Sequence, residues 1–132
     1  MQKPFHDLAL KLRQAWQRET SSDPAGWAPQ NPAWGQCAVT ACIVQDVLGG
    51  DIVWAEAKTP AGNTISHYFN KLADGSVVDL TRDQFPAGTS LSPPDGQPKT
   101  QGRGGESYPT TRDYVLSFKA TQERYGRLKS SL

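Results

Sequence analysis

Three residues of this 132-residue chain have types and spacing that support chemistry: Cys37, His67 and Asp79. Cys37 follows Gly35-Gln36 and stands at the head of the apolar run QCAVTACIVQDVL, which closes on Gly49-Gly50. A thiol attacks only as thiolate, and a helix N-terminus favours that charge through unpaired N–H groups and the macrodipole. Gly35 allows a sharp turn and a close backbone approach just before it. The Cys37 N–H is itself one of the unpaired donors of the first turn, free to stabilise an oxyanion. Such a nucleophile needs a base. Of the two histidines, His6 falls on the first predicted helix and reads as a surface residue, which leaves His67 in SHYFN. The base in turn needs an orienting acid. Asp79, in VVDLT, is a carboxylate among Val77, Val78 and Leu80, and such a group requires a partner. Asp74 and Asp83 read as solvent-facing. The chemistry of the three is acyl transfer: Cys37 attacks an amide or thioester carbonyl, His67 moves the proton and Asp79 orients the imidazole.

The opposing reading is structural. Buried cysteines are mostly inert, and a single strand histidine is more often a packed residue than a base. The chain is then a binding or immunity-type module without turnover, with a long loop as its recognition surface.

The elements that must position these residues follow from periodicity. Phe5, Leu8, Leu12, Ala15 and Trp16 form one apolar stripe and predict a helix over 4–19, with Pro4 in its first turn. Residues 20–35, with three prolines and two glycines, read as loop, and Trp27 and Trp34 as anchors that pack it down. Residues 36–48 read as a buried helix with a glycine C-cap, in which Cys42, Ile43 and Val47 face the core. Strands are expected at 51–57, 65–72 and 76–80, and a short helical turn at 81–85. Residues 86–110, rich in Pro, Gly, Ser and Gln, fit no regular element and read as one long loop. Helical spacing returns over 111–128.

The order predicts an α+β fold, with a central buried helix on a small antiparallel sheet. The triad sets a condition on register. A two-residue Asp74-Gly75 turn opposes Asn70 to Asp79 and puts His67 and Asp79 on opposite faces. A three-residue Ala73-Asp74-Gly75 loop, with Gly75 in the left-handed region, opposes Phe69 to Asp79 and makes His67 its diagonal neighbour.

Length and composition exclude other classes. One domain spans 1–132. A net charge of +1 gives no case for nucleic acid or an anionic membrane surface, and no apolar run reaches the ~20 residues of a membrane span. The N-terminus lacks an apolar signal core, so the protein reads as cytoplasmic. Lys119, Arg124, Arg127 and Lys129 against Glu123 read as a solvated helix face. Cys37 and Cys42 are five positions apart, about 500° around a helix, which argues against a disulfide. No CxxC or His/Cys cluster predicts zinc, and nothing in the sequence requires a cofactor.

The stretches NPAWGQCAVTACIVQDVLGG, HYFN, DG, VDLTRDQF and TQERYGRL resemble the YunG-like family of small bacterial proteins. HYFNKLADGSVVDLT is also similar to the core pattern of the papain-like, transglutaminase-like cysteine superfamily. The resemblance covers about 31–128, with 86–110 unmatched. It implies a papain-like fold, a Cys37-His67-Asp79 arrangement, and an oxyanion-hole or substrate-binding side chain shortly before the cysteine. Asn31 is preferred for that role over Gln36. The implied partner is a peptide, protein or small amide substrate, and the activity a peptidase, deamidase or transglutaminase-like reaction.

Overall fold

Residues 36–48 are apolar on nearly every side, and the fold is built around them. The computed structural model describes residues 2–132, and side chains from Phe5 onward. In chain order the elements are α1 (Gln2–Ala15), α2 (Cys37–Leu48), β1 (Asp51–Lys58), β2 (Thr64–Lys71), β3 (Val77–Val78), β4 (Ser90–Gln97), α3 (Thr111–Leu116) and α4 (Lys119–Ser130). Short 3-10 turns lie at Arg18–Thr20 and Arg82–Gln84. The sheet is antiparallel throughout, in the order β3-β2-β1-β4. The fold is α+β.

Helix α2 lies between the sheet and α4, while α3 packs directly against β1. Val39, Ile43 and Val44 pack with Leu8, Leu12 and Trp16 of the first helical segment and Leu128 of α4. Ala41 and Cys42 pack with Ile52 of β1 and with Tyr114 and Val115 of α3. Thr40, inside this core, is satisfied by the Trp16 indole N–H, which donates to its hydroxyl at 2.9 Å. Val47, expected in the core, is 55% exposed. The continuous buried run of α2 ends at Val44, and in the last turn only Leu48 still packs inward. Leu128 is fully enclosed. Leu128→Ala should therefore cost about 2–5 kcal/mol, read as a lowered urea midpoint with an unchanged slope.

Register decides what β2 presents. Val53, Ala55 and Phe69 form a small cluster with Leu91, and His67 stands opposite Ala55 on the same face. Ile52 and Asn70 point to the α2 side, where the Asn70 amide donates to the Ala41 carbonyl at 2.9 Å. Asn70 pairs with Val78 and Lys71 with Val77, the register the three-residue Ala73-Asp74-Gly75 loop requires. Gly75 has φ +88°, and its N–H donates to the Leu72 carbonyl at 2.9 Å. β3 is shorter than the predicted 76–80 strand.

The predicted loop 86–110 contains β4, which overturns its reading as wholly irregular. Ser90, Leu91 and Ser92 pair with Lys58, Ala57 and Glu56, and Gln97 pairs with Trp54 across a register shift. Pro93 and Pro94 fall within that shift, where no ladder N–H is needed, and the strand lies at the sheet edge. The helix expected over 111–128 is two. The Ser117 hydroxyl bonds back to the Tyr114 carbonyl at 2.6 Å, and Phe118 adopts extended backbone as the N-cap of α4.

Candidate active site

The loop before Cys37 is pinned at several points. The Ser21 hydroxyl donates to the Trp34 carbonyl at 2.8 Å, and the Ser22 N–H to the Gly35 carbonyl at 2.9 Å. The Trp27 and Trp34 indoles donate to the Pro32 carbonyl and the Asp23 carboxylate, so both tryptophans are anchors. Gly35 has φ +73°, and a Cβ there would stand 2.2 Å from Ser21 Oγ and 2.9 Å from Ser22 N. Gly35→Ala should cost about 2 kcal/mol or more. It should also slow alkylation of Cys37 more than that of a surface thiol introduced elsewhere, read by mass spectrometry beside the thermal midpoint.

Cys37 is the first residue of α2 and is partly exposed. Gln36 is the N-cap but caps nothing with its side chain, so the first-turn N–H groups remain open. The Gln36 side chain is fully buried. Its amide donates to the Gln17 carbonyl at 3.0 Å, and its oxygen accepts from the Thr20 hydroxyl at 2.8 Å. The Asn31 amide donates to the Gln84 backbone carbonyl at 3.0 Å. Both carboxamides are thus engaged in holding the loop, and the donors left beside Cys37 are main-chain N–H groups.

His67 has no solvent exposure. It is stacked on Phe69 with centroids 5.5 Å apart and meets the edge of Phe85 at 5.0 Å. Its Nε2 donates to both carboxylate oxygens of Asp79, at 2.9 and 2.8 Å. β3 covers the edge of β2 only at Asn70 and Lys71, which leaves the ring to the segment after β3, where Asp79 and Phe85 lie. Nδ1 is buried and has no hydrogen-bond partner among the described residues. Burial alone would lower the proton affinity of the ring. The adjacent Asp79 carboxylate and the nearby Cys37 sulfur outweigh it and raise the pKa to about 9. The Cys37 sulfur acts on the ring as a hydrogen-bonding and charged neighbour, though its geometry to Nδ1 falls short of a formed hydrogen bond, a looseness common where a catalytic pair has no substrate.

The residue missed in the sequence is Gln84. Its side-chain oxygen accepts from the Gly35 N–H at 3.2 Å, and its amide donates to the Thr81 carbonyl and hydroxyl, both at 3.0 Å. One buried carboxamide therefore ties the turn before the thiol to the segment that follows Asp79. A glutamine in a short polar stretch carries no periodic signal that would have revealed it.

Cys42 is enclosed among aliphatic and aromatic groups, and burial pushes its thiol up to about 12. It is a packing residue. Cys37 also lines a cleft of about 280 Å³ bordered by Gly35, Tyr68, Tyr114, Phe118 and Arg124. Among the described residues, no group of three His, Cys, Asp or Glu side chains is placed to hold a metal ion, and no helix is long and apolar enough to cross a membrane.

A family model described as YunG protein matches residues 4–132. The uncharacterized protein YunG of Bacillus subtilis (strain 168) is similar to this chain, with 40% identity over 76 residues. That stretch is 58% of this chain and 58% of the relative, so the match spans a little over half of the curated protein's length. No solved structure matches the chain.

Proposed function

The chain belongs to the YunG protein family, and from that premise we propose that it is a cysteine-dependent acyl-transfer enzyme with a papain-like, transglutaminase-like arrangement of nucleophile, base and acid. The observation that carries the reading is the state of His67. One ring nitrogen is held by a carboxylate and the other is buried without a partner, beside a thiol at an uncapped helix start. A buried polar group left unpaired calls for an explanation. A protonated nitrogen whose partner is the leaving group of a bound substrate is one.

In this reading the Cys37 sulfur attacks an amide or thioester carbonyl, and the oxyanion is held by the Cys37 N–H. The carbon–nitrogen or carbon–sulfur bond then breaks. The leaving group takes a proton from His67, which is protonated at neutral pH because of its raised pKa. Water or an amine attacks the thioester, His67 accepts its proton, and the thiol is released. Attack by water is peptidase or deamidase chemistry; attack by an amine is transfer.

The test is acylation with p-nitrophenyl acetate. A burst of nitrophenolate stoichiometric with protein is expected, with the acetyl group mapped to Cys37. It should be absent in Cys37→Ala and slowed in His67→Ala. Without burst or adduct, the second reading stands: a binding module of the same fold, favoured by the lack of a formed bond between the thiol and Nδ1.

A further inference from the structure

The cleft beside Cys37 contains one charged side chain. Arg124 projects from α4 into its wall, together with Tyr68, Tyr114 and Phe118. Among the described residues this guanidinium has no carboxylate partner. The ion pairs are Arg13–Asp83, His67–Asp79 and Arg112–Asp46, and the hydrogen bond Arg124 makes is a long one of 3.4 Å to the Thr121 hydroxyl. Glu123, its neighbour in the chain, is exposed and does not pair with it. Burial lowers the proton affinity of Arg124 and the nearby Glu123 charge offsets it only in part, the condition of a cation partly removed from water without a bonded partner. A planar guanidinium in such a place is suited to bidentate pairing with a carboxylate.

The rest of the wall is aromatic. Tyr114 meets Phe118 edge-on with centroids 5.4 Å apart, and Phe118 is half exposed at the mouth. Tyr68 borders the same space. The volume, about 280 Å³, lies at the small end of ligand sites of roughly 300–1,000 Å³. It holds one amino-acid-sized group rather than an extended chain.

Resting on the acyl-transfer reading of Cys37, we propose that this cleft takes an N-acylated aromatic or aliphatic amino acid. The apolar side chain lies against Tyr68, Tyr114 and Phe118, the free carboxylate pairs with Arg124, and the acyl group is directed to Cys37. The ligand is either a free N-acyl amino acid or the C-terminal residue of a peptide.

The experiment is calorimetric titration of Cys37→Ala, which binds without turnover, with N-acetylphenylalanine and with N-acetylphenylalaninamide. The acid should bind about tenfold tighter or more. Adding Arg124→Gln should remove that preference while leaving the amide's affinity and the thermal midpoint unchanged. A short peptide ending in phenylalanine that binds as well as the acid assigns the ligand to peptide C-termini, and a tenfold weaker one assigns it to free N-acyl amino acids; both support the carboxylate pocket. Equal affinity for acid and amide, a preference that survives Arg124→Gln, or tighter binding of benzyl phosphate overturns it. If the preference fails while wild type still shows the acetyl burst, the ligand class alone is wrong. If the preference holds without a burst, the cleft binds and the enzyme reading is wrong.

Discussion

His67→Ala should slow carboxymethylation of Cys37 at pH 6 by about tenfold or more. An ordinary thiol, with a pKa of about 8.5, is well under one per cent thiolate at that pH. In the folded protein the neighbouring imidazole, raised to about 9, carries its positive charge from acid pH up to that value. A positive charge and open N–H groups stabilise the negative charge carried by an attacking sulfur. A more stabilised thiolate is also a weaker nucleophile, which trims the gain and sets the lower bound. Cys42→Ala should match wild type, because Cys42 is enclosed and protonated throughout. Since His67 is buried, thermal midpoints accompany the rates, and His67→Gln provides a variant of closer volume. Wild-type rates equal to those of the unfolded chain, or unchanged in both His67 variants, would remove Cys37 from the role of nucleophile.

The same imidazole makes folding depend on pH. Its folded pKa of about 9 lies above the unfolded value of about 6.5, so the folded state holds the proton more tightly. The stabilisation is present in full below about pH 6.5 and is lost as pH rises through 9. The span corresponds to about 3 kcal/mol as an order of magnitude. Urea midpoints should therefore fall steadily between pH 6.5 and 9. Asp79→Asn removes the carboxylate on Nε2, and with it much of this slope. The buried Cys42 thiol and the Tyr68 hydroxyl, both raised, titrate higher still, so the comparison belongs below pH 9. Parallel curves for wild type and Asp79→Asn would show that the pair does not stabilise the charged ring.

Much of this geometry was legible before the fold was seen, for identifiable reasons. The apolar run closed by Gly49-Gly50 had to be a buried helix. The condition that His67 and Asp79 share a face selected the three-residue turn over the two-residue one, and the sheet has that register. What escaped depends on contacts distant in sequence. The bond between Gln84 and Gly35 joins residues 49 positions apart, and nothing local announces it. Asn31 and Gln36 have suitable types and positions, yet their amides donate to the distant backbone carbonyls of Gln84 and Gln17. The prolines of 86–110 hid an edge strand because they sit where its ladder is interrupted. Arg124 read as one cation of a solvated face because helical spacing cannot show that one residue borders a cleft.

That proline-bearing strand also governs how the sheet ends. A free edge is a template on which another chain can lay a strand, and aggregation often begins there. Here the outer edge is β4, whose two prolines offer no N–H groups and whose register shift bends the ladder. The opposite edge is β3, only two residues long. The β4 side therefore presents no long unbroken run of donors and acceptors to recruit a neighbour. Replacing Pro93 and Pro94 with threonine should leave the site intact and make the protein markedly more prone to self-association at high concentration.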